Sequence, residues 1–325
     1  MDLLKYENKY WERGVKYIAG VDEAGRGPLA GPVVAACVIL DPNIIIDGIN
    51  DSKKISPKKR YELFKEIKEK ALDVSIGIVN EKEIDDINIL KATFLAMKRA
   101  VGNLSISPNI LLIDGPYSDI KLIKVLNIVK GDSKSASIGA ASIIAKVTRD
   151  NIMKQYDMIY PDYGFLKHKG YGTKYHIEKL YKYKATPIHR KSFKIVKSCL
   201  PSYLFYKDEG KIYSLGLQLV ATQYIKRDYI LVKRDILLEN VSDKIDFLFE
   251  KNNKKEFIKV LVIDNNEIVS FGKHNIEDIN SYINNIKNII PEETCSMKML
   301  LKVIVIEFKP KIKPQISILN NEKIY

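Results

Sequence analysis

The pattern of apolar and polar positions predicts short strands through the first two thirds of the chain. Residues 17–21, 33–40, 110–113 and 125–129 are compact apolar runs, and residues 74–78 alternate apolar and polar side chains with period two. Both patterns are typical of β-strands in a sheet that is buried on one or both faces.

Two longer segments have the periodicity of helices. Between residues 81 and 104 the apolar positions recur at helical spacing, and residues 137–156 are rich in alanine and isoleucine, which predicts a buried helix. Strands that alternate with helices in this way predict a mixed α/β domain in which helices pack on a sheet.

The pattern changes near residue 200, where a second set of elements begins. It predicts a helix at 213–227, strands at 229–237, 244–250 and 256–263, a turn at 264–266, a helix at 276–289 and a final strand at 300–308. We therefore expect two domains, residues 1–200 and residues 201–325, of which the second is a small αβββαβ module. Residues 316–325 are expected to form a polar-ended tail.

Composition narrows the class of partner. Hydrophobic residues make up 46% of the 325 residues and charged residues 29%, a profile that is typical of a globular protein. The formal net charge is +13 and the pI is about 9.3. A charge this positive favours polyanionic partners, with nucleic acid first and an anionic membrane surface second.

Cysteine usage and the N-terminal residues indicate a compartment. Cys37, Cys199 and Cys295 are scattered without CxxC spacing, which argues against a zinc site and against a disulfide framework. The N-terminus lacks the apolar core of a signal peptide, and no uninterrupted apolar run approaches the roughly 18 residues of a membrane-spanning helix. We therefore expect a cytoplasmic protein.

Carboxylates follow three of the predicted strands. Asp22 and Glu23 come directly after the first apolar run, Asp114 ends the run that starts at residue 110, and Asp132 follows the last run. Ionised carboxylates at the ends of buried strands are costly without a cation or other partners, and three strand ends can converge on one edge of a sheet. Hard oxygen ligands of this kind suit Mg²⁺ or Mn²⁺.

Asp22 and Glu23 raise a question of geometry, because neighbouring side chains on a regular strand point to opposite faces of the sheet. Gly25 and Gly27 permit a sharp bend immediately afterwards. We therefore expect the strand to have ended at Glu23, which would allow both carboxylates to face the same cation.

Six sequence blocks together resemble the bacterial ribonuclease HII family. They are residues 22–32, Asp51-Ser52-Lys53, Asp114-Gly115, Gly131-Asp132-Ser133-Lys134, residues 140–150 and residues 168–173, in the family's order, and the resemblance covers residues 14–200. Gly25-Arg26-Gly27 resembles this family rather than the sister family, ribonuclease HIII. The resemblance implies the ribonuclease H fold, a mixed sheet flanked by helices.

What the resemblance implies about chemistry is an endoribonuclease of the ribonuclease H type. It assigns Asp22, Glu23, Asp114 and Asp132 as the catalytic residues and as ligands of two divalent cations, Mg²⁺ or Mn²⁺. The expected substrates are RNA–DNA hybrids, cut in the RNA strand, and duplex DNA with embedded ribonucleotides, nicked on their 5′ side. The expected products carry 5′-phosphate and 3′-hydroxyl ends, and the reaction serves ribonucleotide removal from DNA.

The resemblance also implies a set of substrate contacts. Gly25, Arg26 and Gly27 match the loop that senses the 2′-hydroxyl, and glycines suit that role because a backbone without Cβ atoms can approach a sugar closely. Tyr171 matches the aromatic residue at the RNA–DNA junction, which favours a deoxyribose on the 3′ side, and Lys53 resembles a phosphate contact. Ser133 and Lys134 are weaker candidates for phosphate contacts.

Several residues in this region have structural interpretations beside the functional ones. Tyr171 is one of 19 tyrosines, and packing in the core or at the surface is its alternative. Asp150 is interpreted as a member of a structural salt bridge, and His168 and His189 as residues near phosphate or at the surface. A basic tail is expected along the phosphate backbone, where it would make binding depend on salt: Lys169, Lys174, Lys179, Lys182, Lys184, Arg190, Lys191, Lys194 and Lys197.

The C-terminal module more faintly resembles the YraN-like family, small proteins with a restriction-endonuclease-type fold. Of the metal ligands that this resemblance implies, only Asp246 is present, because Gln218, Lys259 and Leu261 stand where the family's pattern has Glu, Glu and Lys. We expect a degenerate fold that binds nucleic acid or a protein partner and does not cut. An α/β module of unrelated ancestry is the alternative.

Two other functions remain open for the whole chain. One is a nucleic-acid-binding protein in which the acidic set is a relic, although the presence of all four carboxylates argues against it. The other is a ribonuclease that acts mainly on long hybrids, although Gly25-Arg26-Gly27 and Tyr171 favour recognition of the junction.

Overall fold

A computed structural model of the chain describes residues 3–50, 52, 54–121, 123–237, 244–265, 267–269, 298–309 and 312–323. The chain divides into two compact units. The first consists of Met1–Lys154, Tyr163–Tyr183 and Ile188–Cys199, and the second of Gln155–Asp162, Lys184–Pro187 and Leu200–Tyr325. Across the described ranges, no helix is long and apolar enough to span a membrane.

A mixed sheet forms the centre of the first unit. Its strands are β1 (Ile18–Ala24), β2 (Val33–Ile39), β3 (Asp73–Val79), β4 (Ile110–Asp114) and β5 (Lys124–Ile128), in the spatial order β3-β2-β1-β4-β5. Strands β1, β2 and β3 pair antiparallel, whereas β1, β4 and β5 pair parallel. The predicted strands and the mixed α/β fold are therefore confirmed.

The helices of this region are α1 (Lys5–Trp11), α2 (Pro57–Lys70), α3 (Glu81–Ile87), α4 (Ile89–Gly102), α5 (Ala136–Ile159), α6 (Phe165–His168), α7 (Lys174–Tyr183) and α8 (Lys194–Lys197). Helices α3 and α4 cover one face of the sheet, where alternate residues of β2 such as Ala35 and Cys37 point. Helices α2 and α5 cover the other face, where the intervening residues Ala36 and Val38 point. The sheet is thus buried between two helical layers.

The segment predicted as one helix from residue 81 to about 104 is two helices. Asn88 has a φ of 68°, outside the helical region, and it separates α3 from α4. Its side chain accepts hydrogen bonds from the backbone N–H groups of Leu90 and Lys91, so it caps the start of α4. The prediction of a single helix was wrong because the apolar periodicity continues across this capping residue.

The second unit contains its own sheet. Its elements are α9 (Tyr203–Asp208), α10 (Ile212–Lys226), β6 (Ile230–Leu237), β7 (Lys244–Lys251), β8 (Lys254–Asp264), β9 (Glu267–Ile268), β10 (Lys298–Phe308) and β11 (Gln315–Lys323). The sheet order is β11-β10-β8-β7-β6, β9 pairs with β8, and β10 runs parallel to β8. Helix α10 packs on this sheet, with Gly216 against Val262 and Ile306.

The predictions for the second unit have mixed outcomes. The helix α10, the strands β6, β7, β8 and β10, and the turn at Asp264-Asn265 are present. The predicted helix at 276–289 lies outside the described residues. The predicted tail was wrong, because residues 315–323 form β11, which pairs antiparallel with β10.

Candidate active site

The topology of the first sheet places three of the predicted site residues at one edge. Strands β1, β4 and β5 are neighbours and run in the same direction, so their C-terminal ends lie side by side. Asp22 lies near the end of β1, Asp114 ends β4, and Asp132 follows β5 in a short 3₁₀ turn, Gly131–Ser133.

The first strand does not end at Glu23, which corrects the expectation from its sequence. Glu23 and Ala24 continue the antiparallel ladder with β2, opposite Ala35 and Val34. Asp22 is buried, and Glu23 is partly buried with its backbone N–H donating to Asp22 Oδ1 at 2.7 Å. The two carboxylates therefore belong to consecutive positions of β1, just beyond Val21, where the parallel pairing of this strand with β4 ends.

Like charges surround the buried Asp22 carboxylate. Burial raises its pKa well above the ordinary value, and the nearby charges of Glu23 and Asp114 raise it further. A hydrogen bond with the Ser142 side chain has the opposite effect on this pKa. Ser142 Oγ in turn lies 2.8 Å from Ser52 Oγ, so α5 and the segment before α2 both contribute to the surroundings of Asp22.

Asp114 and Asp132 are joined through Gly131. The backbone N–H of Gly131 donates to Asp114 Oδ1 at 2.6 Å, and Asp132 is the next residue, buried in the 3₁₀ turn. Lys130, just before this turn, has a left-handed φ of 55° that directs the chain from β5 into it. This arrangement fixes the Asp132 backbone beside the Asp114 carboxylate.

The donor chemistry of this edge fits a hard divalent cation. Carboxylate oxygens are the ligands that Mg²⁺ and Mn²⁺ prefer, and a cation would offset the repulsion that raises the Asp22 pKa. Arg26 Nη1 lies 3.4 Å from Glu23 Oε1, but this guanidinium is half exposed and supplies little compensation for Asp22. Within the described residues, no three Asp, Glu, His or Cys side chains are grouped closely enough to hold a metal ion as they stand.

The Gly25-Arg26-Gly27 loop lies against Tyr171. A Cβ atom built on Gly27 would be 3.6 Å from Tyr171 Cε1, an ordinary contact distance, and it would meet no other atom within 4 Å. Gly25 is different, because its φ is 101° and an added Cβ atom would lie 2.1 Å from Arg149 Nε. Gly27 and the exposed Tyr171 ring thus border one open surface, while Gly25 packs inward.

Other sequence candidates lie in different surroundings. Lys53 is outside the described residues. Ser133 Oγ donates to the carbonyl of Lys130, and Lys134 Nζ donates to the carbonyl of Val129, so both side chains take part in local backbone hydrogen bonds. The salt bridge expected for Asp150 is present, with Lys146 Nζ 2.8 Å from its Oδ1.

Two residues expected near phosphate or in the basic tail are buried instead. His189 is 1% exposed, and its Nε2 atom lies 3.0 Å from Nε2 of His176. Arg190 is fully buried and donates to backbone carbonyls, so it does not belong to an exposed basic surface. Because the Arg190 guanidinium is buried, it forms hydrogen bonds within the unit and is not available to bind phosphate.

Sequence reasoning missed the residues that support the site from beneath. Ser142 had a signal, since it is a polar residue between the buried apolar residues Ala141 and Ile143 of α5. Arg149, His176 and Arg190 carried no such signal. The two arginines donate to backbone carbonyls more than 100 positions away, such as those of Ala30 and Arg26, and His176 contacts the Tyr171 carbonyl and the His189 ring; side-chain identity does not disclose these pairings.

Comparison with known proteins identifies the family of this chain. The family model for ribonuclease HII matches residues 19–196. Ribonuclease HII of Clostridioides difficile is 60% identical over 188 residues, which are 58% of this chain and 74% of that protein. Ribonuclease HII of Acetivibrio thermocellus is 58% identical over 193 residues, which are 59% of this chain and 75% of that protein.

A solved structure shares the fold of the first unit. The crystal structure of ribonuclease H2 from Pyrococcus horikoshii is similar with a TM-score of 0.50 at 30% identity. The similarity covers 56% of this chain and 96% of that one. The matched family model spans more than half of the chain, and the curated relatives are covered over about three quarters of their length. The chain therefore belongs to the ribonuclease HII family and is a hydrolase of the ribonuclease H type.

Proposed function

We propose that this chain is an endonuclease that cleaves the RNA strand of RNA–DNA hybrids and nicks duplex DNA on the 5′ side of embedded ribonucleotides. The products would carry 5′-phosphate and 3′-hydroxyl ends. The observation that carries this proposal is the buried Asp22 carboxylate, which shares one sheet edge with Glu23 and Asp114. Membership of the ribonuclease HII family supports the substrate class.

The proposed cofactors are two divalent cations, Mg²⁺ or Mn²⁺, held by Asp22, Glu23, Asp114 and Asp132. When bound, such cations activate a water for attack on the phosphate and neutralise the charge that develops on the departing 3′ oxygen. The Gly131 N–H group orients Asp114 through one carboxylate oxygen and leaves the other oxygen for a ligand. Ser142 and the Glu23 N–H group both form hydrogen bonds with the Asp22 carboxylate and orient it.

The proposed site for the ribonucleotide lies between Gly27 and Tyr171. The space beside Gly27 is open, so a sugar can approach the backbone there without meeting a side chain. Tyr171 is 42% exposed, and its ring offers a flat apolar surface to the deoxyribose on the 3′ side. We propose that Lys53 contacts a phosphate.

The distribution of charge along the chain supports the proposal that the duplex binds to residues 1–200. Residues 1–200 contain 34 Lys and Arg against 23 Asp and Glu, whereas residues 201–325 contain 19 against 17. The excess of positive charge therefore belongs almost entirely to the part of the chain that holds the site. Binding of duplexes is expected to weaken as salt rises.

We propose that the second unit does not cleave nucleic acid. Asp246 is buried and accepts hydrogen bonds from the Val260 N–H group at 2.7 Å and from the Tyr213 hydroxyl at 3.2 Å. Burial raises its pKa, and the charge of the buried Lys259 opposes that rise. A single carboxylate beside an ammonium group lacks the negative charge that a divalent cation needs.

The test is cleavage of a labelled DNA duplex that contains one ribonucleotide, in Mg²⁺, Mn²⁺ or EDTA. The full chain should nick the duplex on the 5′ side of the ribonucleotide only with metal, and phosphatase treatment should shift the downstream fragment because it carries a 5′-phosphate. The variant Asp114→Asn keeps an oxygen that can accept from Gly131 and should lose at least about 1000-fold in rate, the size of a lost charge-stabilising group.

The matched control is Asp119→Asn, the same substitution five residues further along. Asp119 is exposed and pairs with Lys98 at 2.8 Å, so its loss should leave the rate unchanged. Binding without a nick in either metal would identify a nucleic-acid-binding protein and reject the enzyme. Nicking by Asp114→Asn at the rate of Asp119→Asn would reject the ligand assignment. Cleavage of a uniform hybrid alone would favour a ribonuclease for long hybrids.

A further inference from the structure

Two fully buried arginines lie beneath the loop of residues 25–32. Arg149 is 1% exposed and Arg190 is 0% exposed, and they are the two largest side chains among the described residues that are this completely buried. Arg149 belongs to α5, whereas Arg190 precedes α8. Guanidinium groups are rarely removed from water unless several partners replace it.

Arg190 binds the backbone of the Gly25-Arg26-Gly27 loop directly. Its Nη2 atom donates to the carbonyl of Gly25 at 2.5 Å, and its Nη1 atom donates to the carbonyl of Arg26 at 2.9 Å. Its Nε atom donates to the carbonyl of Gly31 at 3.0 Å. The three nitrogen atoms of one planar group thus bind carbonyls near both ends of the loop of residues 25–32, a geometry that the fixed fork of arginine provides.

Arg149 connects this loop to the segment that carries Tyr171. It donates to the carbonyls of Pro32 at 2.9 Å and Ala30 at 3.1 Å, and also to the carbonyl of Lys169 at 3.0 Å. Its guanidinium carbon lies 5.9 Å from the centre of the Tyr171 ring. One side chain therefore sets the distance between the two parts of the proposed ribonucleotide site.

Adjacent hydrogen bonds complete the connection. The Leu29 N–H group donates to the carbonyl of Gly170 at 2.8 Å, and the Arg190 N–H group donates to the carbonyl of Leu29 at 2.9 Å. The chain before Tyr171, the chain around Arg190 and the loop of residues 25–32 are thus one hydrogen-bonded assembly. Movement of either guanidinium group would shift Gly27 relative to Tyr171.

Gly25 is matched to Arg149. Its φ is 101°, and a Cβ atom built on it would lie 2.1 Å from Arg149 Nε, so glycine is needed there for the backbone to close over the guanidinium group. Gly31 has a φ of 86°, and a Cβ atom built on it would lie 2.3 Å from Met153 Sδ and 3.3 Å from Arg149 Nη2. Gly27 faces the other way, toward Tyr171.

A buried carboxylate balances part of the positive charge. Glu81, at the start of α3, is 1% exposed, and its charge favours the protonated forms of both Arg149 and Arg190. Buried charged groups often contribute less to stability than apolar residues of the same size. The hydrogen bonds that the two arginines make to the loop are therefore better explained by the conformation that they impose than by a gain in stability.

We propose that Arg149 and Arg190 are positioning residues that hold the peptide groups of Gly25–Gly27 against the Tyr171 ring, so that recognition of a single ribonucleotide depends on both arginines. This inference rests on the proposed function, because it concerns the ribonucleotide site of that reaction. The arginines themselves do not touch the substrate. They act through the carbonyls that they bind.

The test compares Arg190→Lys with Arg99→Lys in the full chain. Lysine keeps the charge of Arg190 but loses the fork that reaches four carbonyls, those of residues 25, 26, 31 and 32. Arg99 is a matched control, since it also donates to a backbone carbonyl, that of Ile78 at 2.7 Å, and it lies on the β3 side of the sheet, away from the loop. Rates are measured on the single-ribonucleotide duplex and on a uniform RNA–DNA hybrid.

Arg190→Lys should lower kcat on the single ribonucleotide about 100-fold, the effect of a displacement of about 1 Å, and should leave KM within about threefold. On the uniform hybrid, the fall in kcat of Arg190→Lys should be at least about tenfold smaller than on the single ribonucleotide, because several ribonucleotides can engage the loop in turn. Arg99→Lys should change neither rate by more than about threefold. If Arg190→Lys does not fold, Arg149→Lys carries the same prediction. This second variant should fold, because Arg190 still binds Gly25 and Arg26, but it loses the contacts that connect the loop with the segment of Tyr171.

The outcomes separate this inference from the proposed function. If the unmodified chain does not nick, the proposed function fails. Two results would reject the positioning role while the proposed function stands, provided that the unmodified chain nicks. In one, the folded arginine variant retains the kcat of the unmodified chain on the single ribonucleotide; in the other, its kcat falls by the same factor on both substrates.

Discussion

Acid should destabilise the first unit through one buried histidine, His176. This side chain is fully buried, and its Nδ1 atom lies 2.9 Å from the carbonyl of Tyr171. A carbonyl only accepts, so Nδ1 carries a proton. The Nε2 atom lies 3.0 Å from His189 Nε2, where one nitrogen must accept, and a neutral His176 accepting from His189 satisfies both contacts.

The size of the effect follows from the His176 pKa. Burial lowers it from the ordinary value of 6.5 to about 4. Between these values the unfolded chain binds a proton that the folded chain does not, so stability rises with pH through this window and is lost as the pH falls. The free energy of unfolding is about 3 kcal/mol lower below pH 4 than at pH 7, and at pH 5 it is already about 2 kcal/mol lower.

The assay is urea unfolding at pH 7 and pH 5, followed by the fluorescence of Trp11, the single tryptophan of the chain. Trp11 ends α1 and packs against the core of the first unit, so its signal reports on the unit that holds His176. The variant His176→Asn keeps an N–H group that can reach the Tyr171 carbonyl but does not titrate. Between pH 7 and pH 5, the free energy of unfolding of the unmodified chain should therefore fall by about 2 kcal/mol more than that of this variant.

Carboxylates also titrate in this range, and the comparison with His176→Asn removes their contribution because both proteins share them. Equal losses for the two proteins would show that the folded His176 accepts a proton as readily as the unfolded one. The hydrogen-bond assignment between His176, His189 and Tyr171 would then be wrong.

Three further pairs of substitutions test other parts of the structure. Tyr171→Ala should slow nicking at a single ribonucleotide by at least about tenfold, the worth of one stacking contact, while Tyr171→Phe should not; equal rates for both would remove the ring from the site. Gly25→Ala should lower the free energy of unfolding by at least about 2 kcal/mol because of its positive φ and the Arg149 contact, whereas Gly27→Ala should remain within about 0.5 kcal/mol of the unmodified chain and lose activity. The opposite ranking in urea unfolding would contradict the packing described. Lys259→Met should destabilise the second unit by about 3 kcal/mol in thermal unfolding, and Asp246→Asn in the same chain should restore most of it; additive losses would show that the two charges do not interact.

The strands and their carboxylates could be predicted from the sequence because local pattern determines them. Apolar runs that end in Asp22, Asp114 and Asp132 form adjacent parallel strands, and parallel neighbours bring their ends to one edge. The same logic failed at Asn88 and in residues 315–323. A capping residue leaves the apolar periodicity intact, and an edge strand such as β11 needs no strong apolar pattern because one side of it is unpaired.

The roles of Arg190 and His189 could not be predicted, because basic residues in a basic segment give no sign of burial. Both lie in a stretch whose neighbours are exposed lysines such as Lys191 and Lys194. What distinguishes the two buried residues is the set of partners that folding brings to them, carbonyls more than 150 positions away for Arg190 and the His176 ring for His189. Such pairings are a property of the tertiary structure alone.

Two buried carboxylates, Asp22 in the first unit and Glu256 in the second, differ in the charges around them. In the second unit, burial opposes ionisation of Glu256, but hydrogen bonds from Lys254 and Lys302 outweigh it and lower the Glu256 pKa. In the first unit, burial raises the pKa of Asp22, and the neighbouring charges of Glu23 and Asp114 raise it further. A carboxylate that folding has already paired with lysines has no need of a cation, whereas a buried carboxylate among others gains stability from a divalent cation. This contrast supports the proposal that the metal-dependent reaction takes place at the edge of the first sheet, and Glu256 in the second unit needs no metal to account for its buried charge.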